Sequence, residues 1–194
     1  MKIGLVILAA GNAARFGSNK LLAELGGIPV IRRVLSAVPE RLRENSVIVT
    51  QYEKIAGEAA RFGIGSVFNS APGEGINRSI RLGAERLSSC DALLFLVADQ
   101  PFIRENTLLR LASEAENAPG LICCAASGGR RANPCLFPKE FFPELLSLKG
   151  DVGGSAVIRA HPDRIRLVEV PEDELWDCDR PEDLEKMRTS GKRD

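Results

Sequence analysis

Ile3-Gly4-Leu5-Val6-Ile7-Leu8-Ala9-Ala10-Gly11-Asn12-Ala13-Ala14-Arg15-Phe16-Gly17-Ser18-Asn19-Lys20-Leu21-Leu22 opens as an apolar run and passes at once into small residues, glycines, one arginine and one lysine. A continuous apolar run reads as a strand buried on both faces, the kind found in a parallel sheet covered by helices. The loop that follows has the chemistry of a phosphate cradle. Gly11 and Gly17 let backbone N–H groups approach an anion, and Arg15 and Lys20 bring positive charge to its oxygens. Two commoner glycine loops are excluded by spacing. The Walker motif puts its lysine directly after the second glycine, and the dinucleotide fingerprint needs G-x-G-x-x-G; this loop has neither. A P-loop NTPase and a dehydrogenase are not indicated.

The string Leu-Ala-Ala-Gly-x-x-x-Arg-Phe-Gly-x-x-Lys-Leu-Leu resembles the signature of nucleotidyltransferases with the glycosyltransferase-A-like fold, and among them it is most similar to the molybdenum cofactor cytidylyltransferases. The resemblance implies a nucleotide held by Leu8, Ala9, Ala10, Gly11, Arg15 and Lys20. It also implies cytosine rather than guanine, because guanylyl relatives tend to have Leu-Ala-Gly-Gly where this chain has Leu-Ala-Ala-Gly.

At 194 residues the chain can bury one substantial core, and no linker-like stretch divides it, so residues 1–194 are expected to form one domain. Lys and Arg (26) balance Asp and Glu (26), which gives no general attraction to nucleic acid or to an anionic membrane. No apolar run reaches the ~20 residues of a membrane span, and the N-terminal apolar segment is too short for a signal peptide; a cytoplasmic protein is expected. The five cysteines, at 90, 123, 124, 135 and 178, form no C-x-x-C pair and sit mostly in apolar runs, as reduced core residues do. His161 is the only histidine, so Ser-His or Cys-His nucleophilic chemistry has a single candidate base, for which a surface role is the expectation.

Along the chain, Val30, Ile31, Val34, Leu35 and Val38 recur at helical spacing after Pro29, predicting a helix over about 29–38. Ser46-Val47-Ile48-Val49-Thr50 reads as a strand, a helix follows at about 53–62, and a short strand lies near 66–68. This alternation argues for a three-layer α/β/α sandwich with a mostly parallel sheet. Asn69 to Gly83 opens as a glycine loop and continues as a helix with Ile76, Ile80, Ala84 and Leu87 on one face. On composition alone an ordinary helix entry reads equally well. The resemblance places a Gly-x-x-x-Ser-x-Arg/Lys-x-Gly element against base and ribose, implying contacts from Gly75 and Ser79, with Asn77 departing from the small residue usual there.

Ala92-Leu93-Leu94-Phe95-Leu96-Val97-Ala98 is the most apolar strand and ends in Asp99-Gln100-Pro101. A carboxylate at the C-terminal end of such a strand stands where α/β sheets bind ligands, and Mg²⁺ is a hard cation that combines one or two carboxylates with phosphate oxygens and water. Asp99 is therefore the first candidate metal ligand; an Asp that merely starts the next turn is the alternative. A helix near 104–116 and a strand over 121–126 supply scaffold, and Gly128-Gly129-Arg130-Arg131-Ala132-Asn133-Pro134 reads as a basic glycine loop entering a short strand. Its two arginines suit an acceptor phosphate and suit solvent equally. Asp151-Val152-Gly153-Gly154-Ser155 reads as a helix start with an N-terminal carboxylate.

The resemblance continues through these later segments. Asn133-Pro134 matches a Gly-His/Asn-Pro element, and Gly150, Asp151 and Gly153 match Gly-Asp-x-Gly-Ala-Arg, so Asn133, Pro134, Asp151 and Gly153 are implied at the acceptor substrate. Gly154 and Ser155 replace the Ala-Arg pair. Asp177-Cys178-Asp179-Arg180-Pro181-Glu182-Asp183 matches Asp-x-Asp-Thr-Pro-Glu-Asp, which makes Asp179 the second implied metal ligand beside Asp99. The implied activity is Mg²⁺-dependent transfer of CMP from CTP to the terminal phosphate of the molybdopterin cofactor, with pyrophosphate released and catalysis by Lys20, Arg15 and Asp99. A molybdenum hydroxylase would receive the product. Rival readings are a guanylyltransferase that uses GTP, a sugar-1-phosphate nucleotidyltransferase on the same scaffold, and a nucleotide-binding cofactor chaperone without turnover.

Overall fold

The structure, a computed structural model, describes residues 1–11 and 19–190. Arg15 and Gly17 of the first loop lie outside the described residues. The chain runs β1 (Ile3–Ala9), a small hairpin β2 (Glu24–Leu25) and β3 (Ile28–Pro29), α1 (Val30–Ser36), α2 (Glu40–Arg43), β4 (Ser46–Thr50), α3 (Glu53–Ala60) and β5 (Gly65–Phe68). It continues through α4 (Ile76–Arg86), β6 (Ala92–Val97), α5 (Glu105–Asn117), β7 (Ile122–Ser127), β8 (Arg130–Pro138), α6 (Phe142–Ser147), α7 (Ser155–Ala160), β9 (Ile165–Glu169) and α8 (Pro181–Ser190).

Seven strands form one sheet in the order β5-β4-β1-β6-β8-β7-β9. Only β8 runs against its neighbours, pairing antiparallel with both β6 and β7, while the β1–β4, β1–β6, β4–β5 and β7–β9 pairs are parallel. The mostly parallel sandwich is thus confirmed, and the alternation of side chains explains its three layers. Leu5, Ile7, Ile48, Leu94 and Leu96 face a core shared with Ile31, Leu35, Ile55, Leu108 and Leu111 of α1, α3 and α5. Val6, Val47, Leu93 and Phe95, one residue out of step, face a second core with Ile80, Leu145 and Ile158 of α4, α6 and α7. All five cysteines are buried and free, as their apolar surroundings suggested.

Two local readings change. The expected glycine loop at 128–138 is a tight hairpin: Gly128 and Gly129 have φ of +56° and +75°, as a two-residue turn joining antiparallel strands requires, and β8 starts at once with Arg130. Glu169 accepts hydrogen bonds from the N–H groups of both glycines, at 3.0 and 2.9 Å, so these amides are already occupied by a carboxylate. The segment from Asp151 does not open a helix with its own carboxylate either. α7 begins only at Ser155, and Asp151 serves a different helix, as described below.

Gly83 decides how closely α4 approaches the sheet, since a Cβ built there would lie 2.3 Å from Val6 Cγ1. Gly83→Ala gains intrinsic helix propensity of about 1 kcal/mol, but that distance demands displacement of a buried strand residue, and overpacking costs about 1–3 kcal/mol. The variant is expected to be less stable in urea denaturation, and adding Val6→Ala should recover part of the loss. A double mutant whose destabilisation equals the sum of the two singles would rule out the contact as the cause.

Candidate active site

Parallel pairing sends the C-terminal ends of β1, β4 and β6 to one edge: Ala9 is registered on Thr50 and Leu8 on Val97. The segments leaving those strands surround a cavity of about 460 Å³ lined by Leu8, Ala9, Ala10, Gly11, Lys20, Ala98 and Asp99, with Gly75, Ile76, Ser79 and Asp151 opposite. This is the ligand edge of an open α/β sheet. Lys20 is presented by a single 3₁₀ turn whose cap, Asn19, accepts a hydrogen bond from the Leu21 N–H at 3.1 Å.

The Lys20 ammonium lies between two carboxylates, donating to Asp99 Oδ2 at 2.6 Å and to Asp179 Oδ1 at 3.0 Å. Burial of Lys20 acts to lower its pKa, but the neighbouring Asp99 and then Asp179 outweigh it and the net shift is upward, so the side chain stays charged. Asp99 is 21% exposed and Asp179 58%, which puts one carboxylate at the base of the site and the other at its rim. Backbone contacts bring the distant segment in: the Cys178 N–H donates to Asp99 O at 2.8 Å, and Gln100 Nε2 donates to Leu175 O at 3.3 Å and to Asp177 Oδ1 at 3.1 Å. Asp177 thereby becomes a third carboxylate near the pair. Burial, then the charge of Asp99, pushes its pKa up to about 6 despite the Gln100 bond. Sequence reading left Asp177 without a role, although the resemblance had already brought Asp179 beside Asp99.

Gly75, Ser79 and Asp151 line this cavity on the opposite wall. Gly75 has φ of +98°, and a Cβ there would meet Asp151 Cα at 2.7 Å, so only glycine fits between the two segments. Asp151 Oδ1 accepts from the Ile76 N–H at 3.2 Å, at the start of α4. Ser79 is buried and its Oγ accepts from Asn69 Nδ2 at 3.0 Å. Asn77 lines neither this cavity nor the second one described next; it is buried and donates to Leu148 O at 3.2 Å, tying α4 to the chain after α6.

A second cavity, of about 370 Å³, shares Leu8, Ile76 and Val97 with the first and is lined further by Arg131, Asn133, Cys135, Phe137, Gly153 and Ser155. Of the four residues implied at the acceptor, Asn133 and Gly153 lie here, Asp151 lies in the first cavity, and Pro134 lines neither. Arg130 is a rim residue 4.0 Å from Glu172, and only Arg131 faces the cavity. Gly154 packs under the Phe137 ring, where a Cβ would sit 2.9 Å from Cζ. His161 stands apart on Glu144, 2.8 Å away, against the Phe141 ring.

The donors suit a hard divalent cation: two carboxylates converge on one positive group beside a cavity roomy enough for phosphate oxygens and water. Among the described residues, no group of three or more His, Cys, Asp or Glu side chains is placed to hold a metal ion, so the candidate ligands are this one pair. Nor, among them, is any helix long and apolar enough to cross a membrane.

The chain is similar to several known proteins. The chain is 35% identical over 125 residues to a molybdenum cofactor guanylyltransferase of Rhodobacter capsulatus, a match spanning 59% of this chain and 60% of that protein. That relative is named for guanylyl rather than cytidylyl transfer. In fold the chain is similar to a nucleotidyl transferase from Methanothermobacter, with a TM-score of 0.81 and 21% identity over 97% of both chains. It is also similar to the manganese complex of Rv0371c from Mycobacterium tuberculosis, with a TM-score of 0.73 and 21% identity over 98% of this chain and 100% of that one. The family model of the MobA-like NTP transferase domain matches residues 5–165, which include most of β1, Asp99, Ser79 and the residues lining both cavities, and the chain belongs to that family.

Proposed function

We propose that the protein transfers CMP from CTP to the terminal phosphate of a molybdopterin cofactor and releases pyrophosphate. The observation that carries the reading is the Lys20 ammonium held between Asp99 and Asp179 at the mouth of the sheet-edge cavity. In this reading Asp99 and Asp179 hold Mg²⁺, whose contribution when bound is to neutralise triphosphate charge. The manganese found with a neighbour of the same fold supports a divalent ion here. Leu8, Ala9, Ala10 and Gly11 form the wall against the nucleotide, Gly75 and Ser79 face it, and Lys20, with Arg15 from the adjoining loop, counters charge on the phosphates.

The acceptor phosphate oxygen attacks the α-phosphorus in line; the new phosphoanhydride bond forms as the bond to the bridging oxygen of pyrophosphate breaks. No protein nucleophile is required, so positioning two anions and offsetting their charge is the protein's task. The second cavity takes the acceptor, with Asn133 and Gly153 in its lining, while Asp151 stands in the first cavity and Pro134 lines neither. Arg131 lines it and supplies the positive charge that Ser155, standing in the arginine position of related chains, does not. A molybdenum hydroxylase is the recipient expected for such a product. The GTP-using alternative is favoured by one observation, the guanylyl name of the Rhodobacter relative. Pyrophosphate release measured with each NTP in turn, Mg²⁺ and molybdenum cofactor separates the two, and release with no combination would refute transfer.

Lys20→Ala is expected to lower kcat more than it weakens CTP binding, because charge grows on the transferring group and its oxygens only as the reaction proceeds. An unchanged kcat with a raised KM would assign Lys20 to ground-state binding alone. Asp99→Asn keeps the size of the side chain and removes the charge, so metal-dependent pyrophosphate release should fall by orders of magnitude while the melting temperature changes little. Asp179→Asn should act in the same direction. Since both serve one ion, the double variant should lose much less than the product of the two single losses. Near-wild-type Mg²⁺-dependent turnover of a folded Asp99→Asn protein would remove the metal site from this account.

A further inference from the structure

Three successive carbonyl oxygens of the nucleotide loop are each taken by one of three successive side chains at the end of β4. Thr50 Oγ1 donates to Ala9 O at 3.1 Å, Gln51 Nε2 to Ala10 O at 2.8 Å, and Tyr52 OH to Gly11 O at 3.1 Å. Thr50 Oγ1 also accepts from the Tyr52 N–H at 3.1 Å, which fixes the clamp internally. In a trans peptide the carbonyl and the following N–H point in opposite directions. Holding Ala9 O and Ala10 O toward β4 therefore turns the N–H groups of Ala10 and Gly11 the other way. Both residues line the cavity, and neither Gln51 nor Tyr52 does.

The facing wall has the same polarity. Ser79 Oγ accepts from Asn69 Nδ2, and the orientation of that amide is fixed because Asn69 Oδ1 accepts from the Ala71 N–H at 3.0 Å and Arg78 Nε at 3.1 Å. With its oxygen receiving a hydrogen, Ser79 has its own hydroxyl hydrogen to give. Both sides of the cavity offer donors, and the loop carbonyls, the acceptors a base would otherwise find, are turned away.

We infer that Gln51 and Tyr52 are positioning residues that set base preference, by holding the loop so that it offers donors and withholds carbonyls. The inference rests on the cavity being the nucleotide site. Cytosine presents two adjacent acceptors, O2 and N3, which a pair of N–H donors satisfies. Guanine presents N1–H and an exocyclic amine on the same edge, and these need the carbonyls that Gln51 and Tyr52 hold. A base edge left with unmet donors is rejected far more strongly than a change of size alone would reject it.

Equilibrium binding of CTP and of GTP, each with Mg²⁺, to the purified full chain tests this. The wild type should bind CTP the more tightly. Gln51→Met and Tyr52→Phe, which keep bulk and remove the donor, should each weaken CTP by about tenfold, the value of roughly one hydrogen bond, and weaken GTP less, so that the preference narrows. A merely structural role would weaken both nucleotides alike together with a lowered melting temperature. That result, an unchanged CTP to GTP ratio in both variants, or a wild type that prefers GTP would overturn the inference. A wild type that binds no nucleotide would instead refute the reading of the cavity on which it rests.

Discussion

Everything at this site follows from the parallel pairing of β4, β1 and β6. Parallel neighbours deliver their C-terminal ends to one edge, so the segments after Ala9, Thr50 and Val97 must emerge side by side whatever their sequences. An antiparallel arrangement would have sent one of them to the far side of the sheet. The rigidity of the edge comes from burial on both faces: Leu5, Ile7, Leu94 and Leu96 are fully buried against one helical layer, and Val6 and Leu93 against the other. Asp99 is thereby fixed by strand geometry just beyond the end of β6 rather than by a mobile loop.

Concentrating carboxylates on that edge has an electrostatic cost, which the structure answers locally. Asp99, Asp177 and Asp179 repel one another, and Asp177 carries the visible sign, an upward shift caused first by burial and then by Asp99. Lys20 compensates two of the three, and its own burial is outweighed by their attraction. Asp99 and Asp179, which the Lys20 ammonium compensates here, are also the pair that would hold the proposed divalent ion.

Much of this was legible in the sequence, for identifiable reasons. Buried parallel strands are continuous apolar runs, so β1, β4 and β6 announced themselves, and a carboxylate directly after the most apolar of them pointed to Asp99. Partners distant in sequence were harder to find. Residue 151 reads locally as a helix-starting carboxylate, yet the helix whose first N–H it accepts is α4, 75 residues earlier. Gly128-Gly129-Arg130-Arg131 reads as an anion loop on composition, whereas Glu169, 40 and 41 residues away, already holds both glycine amides. Composition shows which groups a segment carries, but only tertiary structure shows which of them are already satisfied. Gln51 and Tyr52 left no sign at all, because polar residues after a strand are the ordinary content of loops, and Thr50 read only as the end of β4.

The glycines of the α4 and α7 segments show how a family signature mixes separate physical demands. Gly75 is required by a positive φ and by the approach of Asp151, both at the cavity wall. Gly83, in the same motif, lies about two helical turns further along α4 and answers to Val6 in the core. Gly154 stands where the resemblance has alanine, and the Phe137 ring occupies the volume an alanine methyl would need. Phe137 and Gly154 both line the second cavity, so an aromatic ring from β8 shapes a wall that the missing side chain at 154 leaves open. The first cavity carries Gly75 and Ser79 of the signature, the second carries Gly154 and Ser155 where the chain departs from it, and the two meet at Leu8, Ile76 and Val97, the wall they share.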